Sequence, residues 1–145
     1  MKTLAEIHSS LSKLLTHQTI KEIAWDKNRD MPIFTMSNGD VVSIYMYVST
    51  TDYDLSVSYT HNGQRTGGYI GYDDNFASKD LSIESGIVVS DVSIIQDCID
   101  VEIQEVALSG SGQRAVLFLV LSSRKQLQYS TSFNNPDFSL ILLDL

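Results

Sequence analysis

One cysteine, Cys98, stands among 145 residues, so the chain carries no internal disulfide. That scarcity removes the cross-linked secreted scaffolds and fits a reducing compartment. Long apolar runs are missing as well: the longest, Ala115 to Leu121, has seven residues, against the roughly 20 that a membrane helix needs. The opening Met1-Lys2-Thr3-Leu4-Ala5-Glu6-Ile7-His8 breaks every apolar step with a polar one and does not read as a secretory signal. A cytoplasmic location is the expectation. Positive charge is also short. Ten Lys and Arg stand against eighteen Asp and Glu, and the net charge of -8 repels phosphate backbones and anionic lipid. Nucleic acid and membrane are therefore disfavoured as partners, whereas a basic protein or a cation fits; so does a plain role in solubility.

Catalytic signatures are equally sparse. His8, His17 and His61 are scattered and Cys98 is alone, so no paired zinc-ligand spacing occurs. No Gly-x-Ser-x-Gly elbow is present, and Ser109-Gly110-Ser111-Gly112 lacks the lysine and helix of a phosphate loop, which leaves it as a flexible link. With no acid, base and nucleophile set standing out, the chain is not expected to be an enzyme.

What is there reads as one domain over residues 1–145, long enough to bury roughly 70% of its unfolded surface. Leu4, Ile7, Leu11, Leu14 and Leu15 recur at helical spacing, and Thr3 with Glu6 forms a capping box, so a helix is predicted over 3–17. From Thr19 the period becomes two. Met31–Met36 and Val41–Val48 flank Ser37-Asn38-Gly39-Asp40, a hairpin signal, and the second arm sends Val42, Ile44, Met46 and Val48 one way and Tyr45 and Tyr47 the other. Thr51 to Tyr59 alternates cleanly, His61-Asn62-Gly63 turns the chain, and Tyr69 to Tyr72 returns after Gly67-Gly68. Cys98 to Ala107 predicts a strand with Ile99, Val101 and Ile103 inward and Cys98, Asp100, Glu102 and Gln104 outward. Ala115 to Leu121 is apolar on both faces and marks a buried central strand; Gln126–Phe133 and Phe138–Leu145 follow. Strands every ten or so residues behind one helix predict a mainly β, antiparallel two-sheet sandwich over about 19–145.

Two clusters carry the candidate chemistry. Period two places Asp52 and Asp54 on one side of their strand, where like charges repel unless water, a donor or a cation compensates. With Asp73, Asp74 and Asn75 from the loop after Tyr72 they supply oxygen ligands of the kind calcium takes, about six to eight at a converging point. Solvated turn carboxylates are the other reading. Asp100, Glu102 and Glu105 form an outward acidic stripe, either a protein-binding surface or wet sheet. Tyr45, Tyr47, Tyr69 and Tyr72 are either interface anchors or rim packing.

The ordered features of residues 30 to 122 resemble the TerD-like domain of tellurium-resistance and bacterial stress proteins. Ser-Asn-Gly-Asp and Val-Val-Ser-Ile-Tyr-Met-Tyr (37–47), then Asp52-Tyr53-Asp54-Leu55-Ser56, His61-Asn62-Gly63-Gln64, Gly68-Tyr69-Ile70-Gly71-Tyr72, Ile83-Glu84-Ser85-Gly86, Cys98 to Ile103 and Gly112 to Phe118 carry the similarity. The resemblance implies a two-sheet sandwich, a non-enzymatic role in stress resistance, and Asp52 and Asp54 as calcium ligands. Ile87 stands where that family often has an aspartate, which would remove one oxygen. An acidic immunity or antitoxin-type protein that neutralises a basic toxin is the alternative reading.

Overall fold

Helix α1, Leu4–Leu15, begins where the sequence places it. The Thr3 side chain accepts a hydrogen bond from the Glu6 N–H, and Glu6 reaches back to the Thr3 N–H, closing the capping box. These bonds, the backbone one first, hold the Glu6 carboxyl below the ordinary glutamate range. Leu4, Ile7, Leu11 and Leu15 are buried on one face, so the stripe packs within its own chain. In the computed structural model, residues 2–26, 28, 31–49, 54–71, 74–79, 87–88, 98–112, 114–132 and 139–144 are described.

The rest is mainly β, in two antiparallel sheets. Strands β1 (Ile20–Asp26), β2 (Met31–Met36), β3 (Val41–Val48), β4 (Leu55–His61) and β5 (Gln64–Ile70) form a five-stranded meander in chain order, with β3 at its centre. The second sheet has four long strands, β8 (Ile103–Ser111), β9 (Arg114–Leu121), β10 (Lys125–Ser132) and β11 (Ser139–Asp144). Its edges are the short strands β6 (Asn75–Ala77) beside β8 and β7 (Ile87–Val88) beside β11. Short edge strands limit pairing with other chains. Val42, Ile44, Met46, Leu55 and Val57 from the first sheet meet Ile103, Leu108, Leu117, Leu119 and Leu121 from the second, and α1 joins the same core.

Two turns fix the meander. Between β4 and β5, Asn62 (φ +50°) and Gly63 (φ +88°) are both left-handed, as a two-residue hairpin of matching twist requires. Between β2 and β3 the Asn-Gly signal gives a three-residue loop instead: only Gly39 is left-handed (φ +93°), and the Met36 N–H donates to the Asp40 carbonyl.

Four expectations are corrected. Strand β5 begins at Gln64, so Gly67 and Gly68 lie inside it and not before it; a Cβ on Gly68 would collide with the Lys2 carbonyl, whose segment crosses there. The strand predicted from Cys98 starts at Ile103. Residues 98–100 form a turn, Asp100 adopts φ +62°, and Cys98 is buried, 1% exposed, in the core and not outward. A bulge between Ile103 and Glu105 then resets the alternation, so Gln104 and Glu105 are both exposed while Val106 and Leu108 point inward. Ser109-Gly110-Ser111 is not a flexible link but the end of β8, paired with β9.

Residues 17–20 run antiparallel to 100–103. His17 and Ile20 donate to the carbonyls of Ile103 and Val101, while Ile103 and Asp100 donate to those of Gln18 and Ile20. This short ladder ties β1 to the start of β8 and closes one side of the sandwich.

Candidate functional site

The two outer faces of the sandwich differ. On the second sheet, Ala107, Val116 and Phe118 form a buried apolar cluster, and their neighbours Gln128 and Ser130 are buried too. On the first sheet the outer face is open. It carries all three exposed large apolar side chains among the described residues: Tyr69 (52% exposed), Tyr47 (42%) and Val41 (39%).

Registry explains the pattern. Tyr47 faces Ser56 across β3 and β4, and Ser56 faces Tyr69 across β4 and β5; the next row is Tyr45, Ser58 and Gly67. Tyr45 and Tyr47, two residues apart on one strand, stack with ring centroids 6.4 Å apart and planes 11° from parallel. Small residues thus floor a space beside the Tyr69 ring. That space is a shallow groove of about 610 Å³ lined by Asp54, Ser56, Ser58, Arg65, Gly67 and Tyr69, with backbone from Val57 and Gly68. Tyrosine beside serine and glycine is a surface that binds by rigid amphipathic rings and adaptable hydroxyls.

The acidic candidates do not gather in the same way. Asp54 lines the groove, whereas Asp74 lines a smaller depression of about 340 Å³ with Lys2, Thr3, Tyr69, Ile70 and Gly71. The two hollows meet at Tyr69. Asp52 and Asp73 lie outside the described residues. Among those described, no group of three or more His, Cys, Asp or Glu side chains is placed to hold a metal ion.

Asp100, Glu102 and Glu105 do not make one stripe, because the turn at Asp100 and the bulge before Glu105 break the period. Glu102 instead meets His17 at 3.4 Å and Glu105 meets Lys79 at 3.2 Å. Exposed pairs of this kind contribute little to stability. Of the protein-binding candidates, then, Tyr45 and Tyr47 share a face, and Asp100 and Glu102 lie apart from it. Arg65, Ser58 and Gly67 were not singled out from the sequence. The signal was present, since the two-residue turn at Asn62-Gly63 sets the register that brings them beside Tyr69 and Asp54.

A second polar cluster joins the two hairpin turns. The Asp40 carboxylate accepts from the Asn62 amide at 3.0 Å and the Asn38 amide at 3.2 Å, with His61 Nε2 at 3.3 Å. The Asn62 side-chain carbonyl accepts from the Val41 N–H at 2.9 Å. Hydrogen bonding from Asn62, then from His61, holds the Asp40 carboxyl below the ordinary aspartate range. A carboxyl depressed in the folded state stabilises the fold above its unfolded pKa, and that contribution disappears as pH falls through the folded value. Urea midpoints measured from pH 7 to about pH 2 should therefore show wild type above Asp40→Asn at neutral pH. The gap should close only below the usual aspartate range; a gap independent of pH would show that the carboxylate charge is not what holds the turns.

Among the described residues, no helix is long and apolar enough to cross a membrane. Comparison with protein-family models, with characterised proteins and with solved structures returns no significant match to this chain.

Proposed function

We propose that the chain is a non-enzymatic binding domain that holds a basic protein partner against the outer face of its five-stranded sheet. One observation carries the reading: the exposed large apolar side chains described in this molecule, two of them tyrosines, all lie on that face. Tyrosine is among the residues that most often dominate interface energetics, because it brings large contact area with few rotamers to fix. The net charge of -8 selects the sign of the partner, drawing cationic proteins and repelling nucleic acid. The polar cluster of Asn38, Asp40, His61 and Asn62 is spent on holding two turns, which supports binding over catalysis.

Of the two biological settings raised by the sequence, the alternative, an immunity or antitoxin-type neutraliser of a basic protein, draws support from the chain's net charge and from the exposed tyrosines. The TerD-like stress-associated setting rests on the residue patterns between 30 and 122 and uses the same non-enzymatic surface.

The test is Tyr47→Ala with Tyr69→Ala. Because both side chains are exposed, the thermal midpoint should stay close to wild type, substitutions of this kind falling within about 0.5 kcal/mol. Retention of a cationic partner from host extract at low salt should fall by about ten-fold or more for a pair of anchor tyrosines. Equal retention by wild type and variant would move the binding surface elsewhere.

A further inference from the structure

We propose that Asn62, in the turn between β4 and β5, is a site of spontaneous deamidation that its own neighbours promote, with water as the only co-reactant. Asparagine is a thermolabile residue. Its side-chain carbonyl carbon is attacked most readily where glycine follows, because no Cβ shields the next backbone nitrogen. The chain has two such pairs, Asn38-Gly39 and Asn62-Gly63, and all four residues are exposed. A Cβ on either glycine would meet nothing within 4 Å, so the room to close a ring is the same at both. What differs is the nitrogen that attacks. The Gly39 N–H donates to the Met36 carbonyl at 3.0 Å and is held in its turn, whereas the Gly63 N–H has no hydrogen-bond partner among the described residues.

The leaving groups differ too. Each side-chain carbonyl accepts from a backbone N–H at 2.9 Å, Asn38 from Asp40 and Asn62 from Val41, a donor placed where negative charge grows as the carbon is attacked. The Asn38 amide nitrogen faces the Asp40 carboxylate at 3.2 Å, which has no proton to give. The Asn62 amide nitrogen lies 3.2 Å from His61 Nε2, and the protonated imidazole is a proton donor at that distance. In the reaction the Gly63 nitrogen loses its proton to solvent and bonds to Asn62 Cγ. The Cγ–Nδ2 bond breaks, and the nitrogen leaves as ammonia with a proton from His61, which regains one from solvent. Water then opens the cyclic imide at either carbonyl, leaving aspartate or isoaspartate. The sum is one water taken up and one ammonia lost, once per chain and without turnover. The new carboxylate stands where the Asn62 amide donated to Asp40 at 3.0 Å, so repulsion replaces the bond that joins the two hairpin turns. Isoaspartate also adds one carbon to the backbone of the turn that sets β4 against β5.

Incubation of the intact chain at neutral pH, folded and in denaturing urea, tests this, with fragmentation mass spectrometry locating each conversion. In the folded protein Asn62 should deamidate about ten-fold or more faster than Asn38, since a hydrogen-bonded N–H and a missing proton donor each slow the latter. In urea the two rates should converge. His61→Gln should slow the folded rate at Asn62 by about three-fold or more while leaving Asn38 unchanged, because the proton donor is removed and the Gly39 turn is not. Equal rates at the two pairs in the folded protein, faster loss at Asn38, a preference that persists in urea, or a rate at Asn62 unchanged in His61→Gln overturns the proposal. Should that variant not fold, the comparison of folded with denatured wild type still decides it.

Discussion

Leu55→Ala should lower the free energy of unfolding by about 2–5 kcal/mol, and Gly110→Ala should recover part of that loss in the double variant although it is destabilising alone. Leu55 is fully buried at the start of β4, where the two sheets and the helix converge. A Cβ built on Gly110 of β8 would lie 2.6 Å from Leu55 Cδ2 and 3.0 Å from Leu4 Cδ2, so this glycine is the gap that lets the leucines fit. Truncating Leu55 removes both its burial and the contacts of its neighbours, leaving a cavity in a core that relaxes only in part. The new methyl of Gly110→Ala then occupies space that Leu55 has vacated. Urea denaturation of the wild type, both single variants and the double variant measures the coupling. Simple additivity would mean that the two sheets shift apart locally and that Gly110 is not held against Leu55.

Gly68→Ala should be costly for a different reason, because the obstacle is backbone. The added Cβ would overlap the Lys2 carbonyl oxygen and lie 3.0 Å from the Lys2 carbonyl carbon and 3.2 Å from Ile7 Cγ1. Gly110 faces side-chain ends that can swing; Gly68 faces the segment leading into α1. Lys2 bridges β5 in parallel at this point, its N–H donating to the Gly67 carbonyl at 3.1 Å. Relief must come from lifting that segment off the sheet, which disturbs the Thr3 cap and the packing of Ile7. A loss of about 1–3 kcal/mol is expected, the range for overpacking a tight site. Hydrogen exchange should show the first turn of α1 losing protection while β3 and β4 keep theirs. Uniform loss across the sheet would show instead that Gly68 acts through strand geometry.

Much of this architecture was legible beforehand. The helix announces itself by its leucine spacing and capping box, and β2 and β3 fall where alternation and the intervening Ser-Asn-Gly-Asp place them. Ala115–Leu121, apolar on both faces, becomes a strand buried on both faces because the outer side of its sheet is closed over at Val116 and Phe118. What alternation misses is local irregularity. Asp100 in a left-handed turn and the bulge before Glu105 each shift the phase by a residue, and one such shift turns a continuous acidic stripe into separated pairs. Glycine was misleading where it serves packing: Gly68 and Gly110 look like breaks but sit inside strands, next to the segments that approach them. The groove was hidden for a third reason. Asp54, Arg65 and Tyr69 come to line one groove only once β4 and β5 are in register, and no local pattern states that register except the Asn62-Gly63 turn.

The docking of α1 sets the order in which the chain can finish folding. The helix is made first, yet the surfaces that cover Leu4, Ile7, Leu11 and Leu15 come from β4, β5 and β8, the last of which ends at Ser111. At a synthesis rate of about 5–20 residues per second, the leucine stripe waits on the order of 5–20 seconds for its final neighbour. The ladder between 17–20 and 100–103 has the same delay built in, since its two sides are separated by most of the chain. Until β8 has been made, the N-terminal segment is an apolar strip without its full dock.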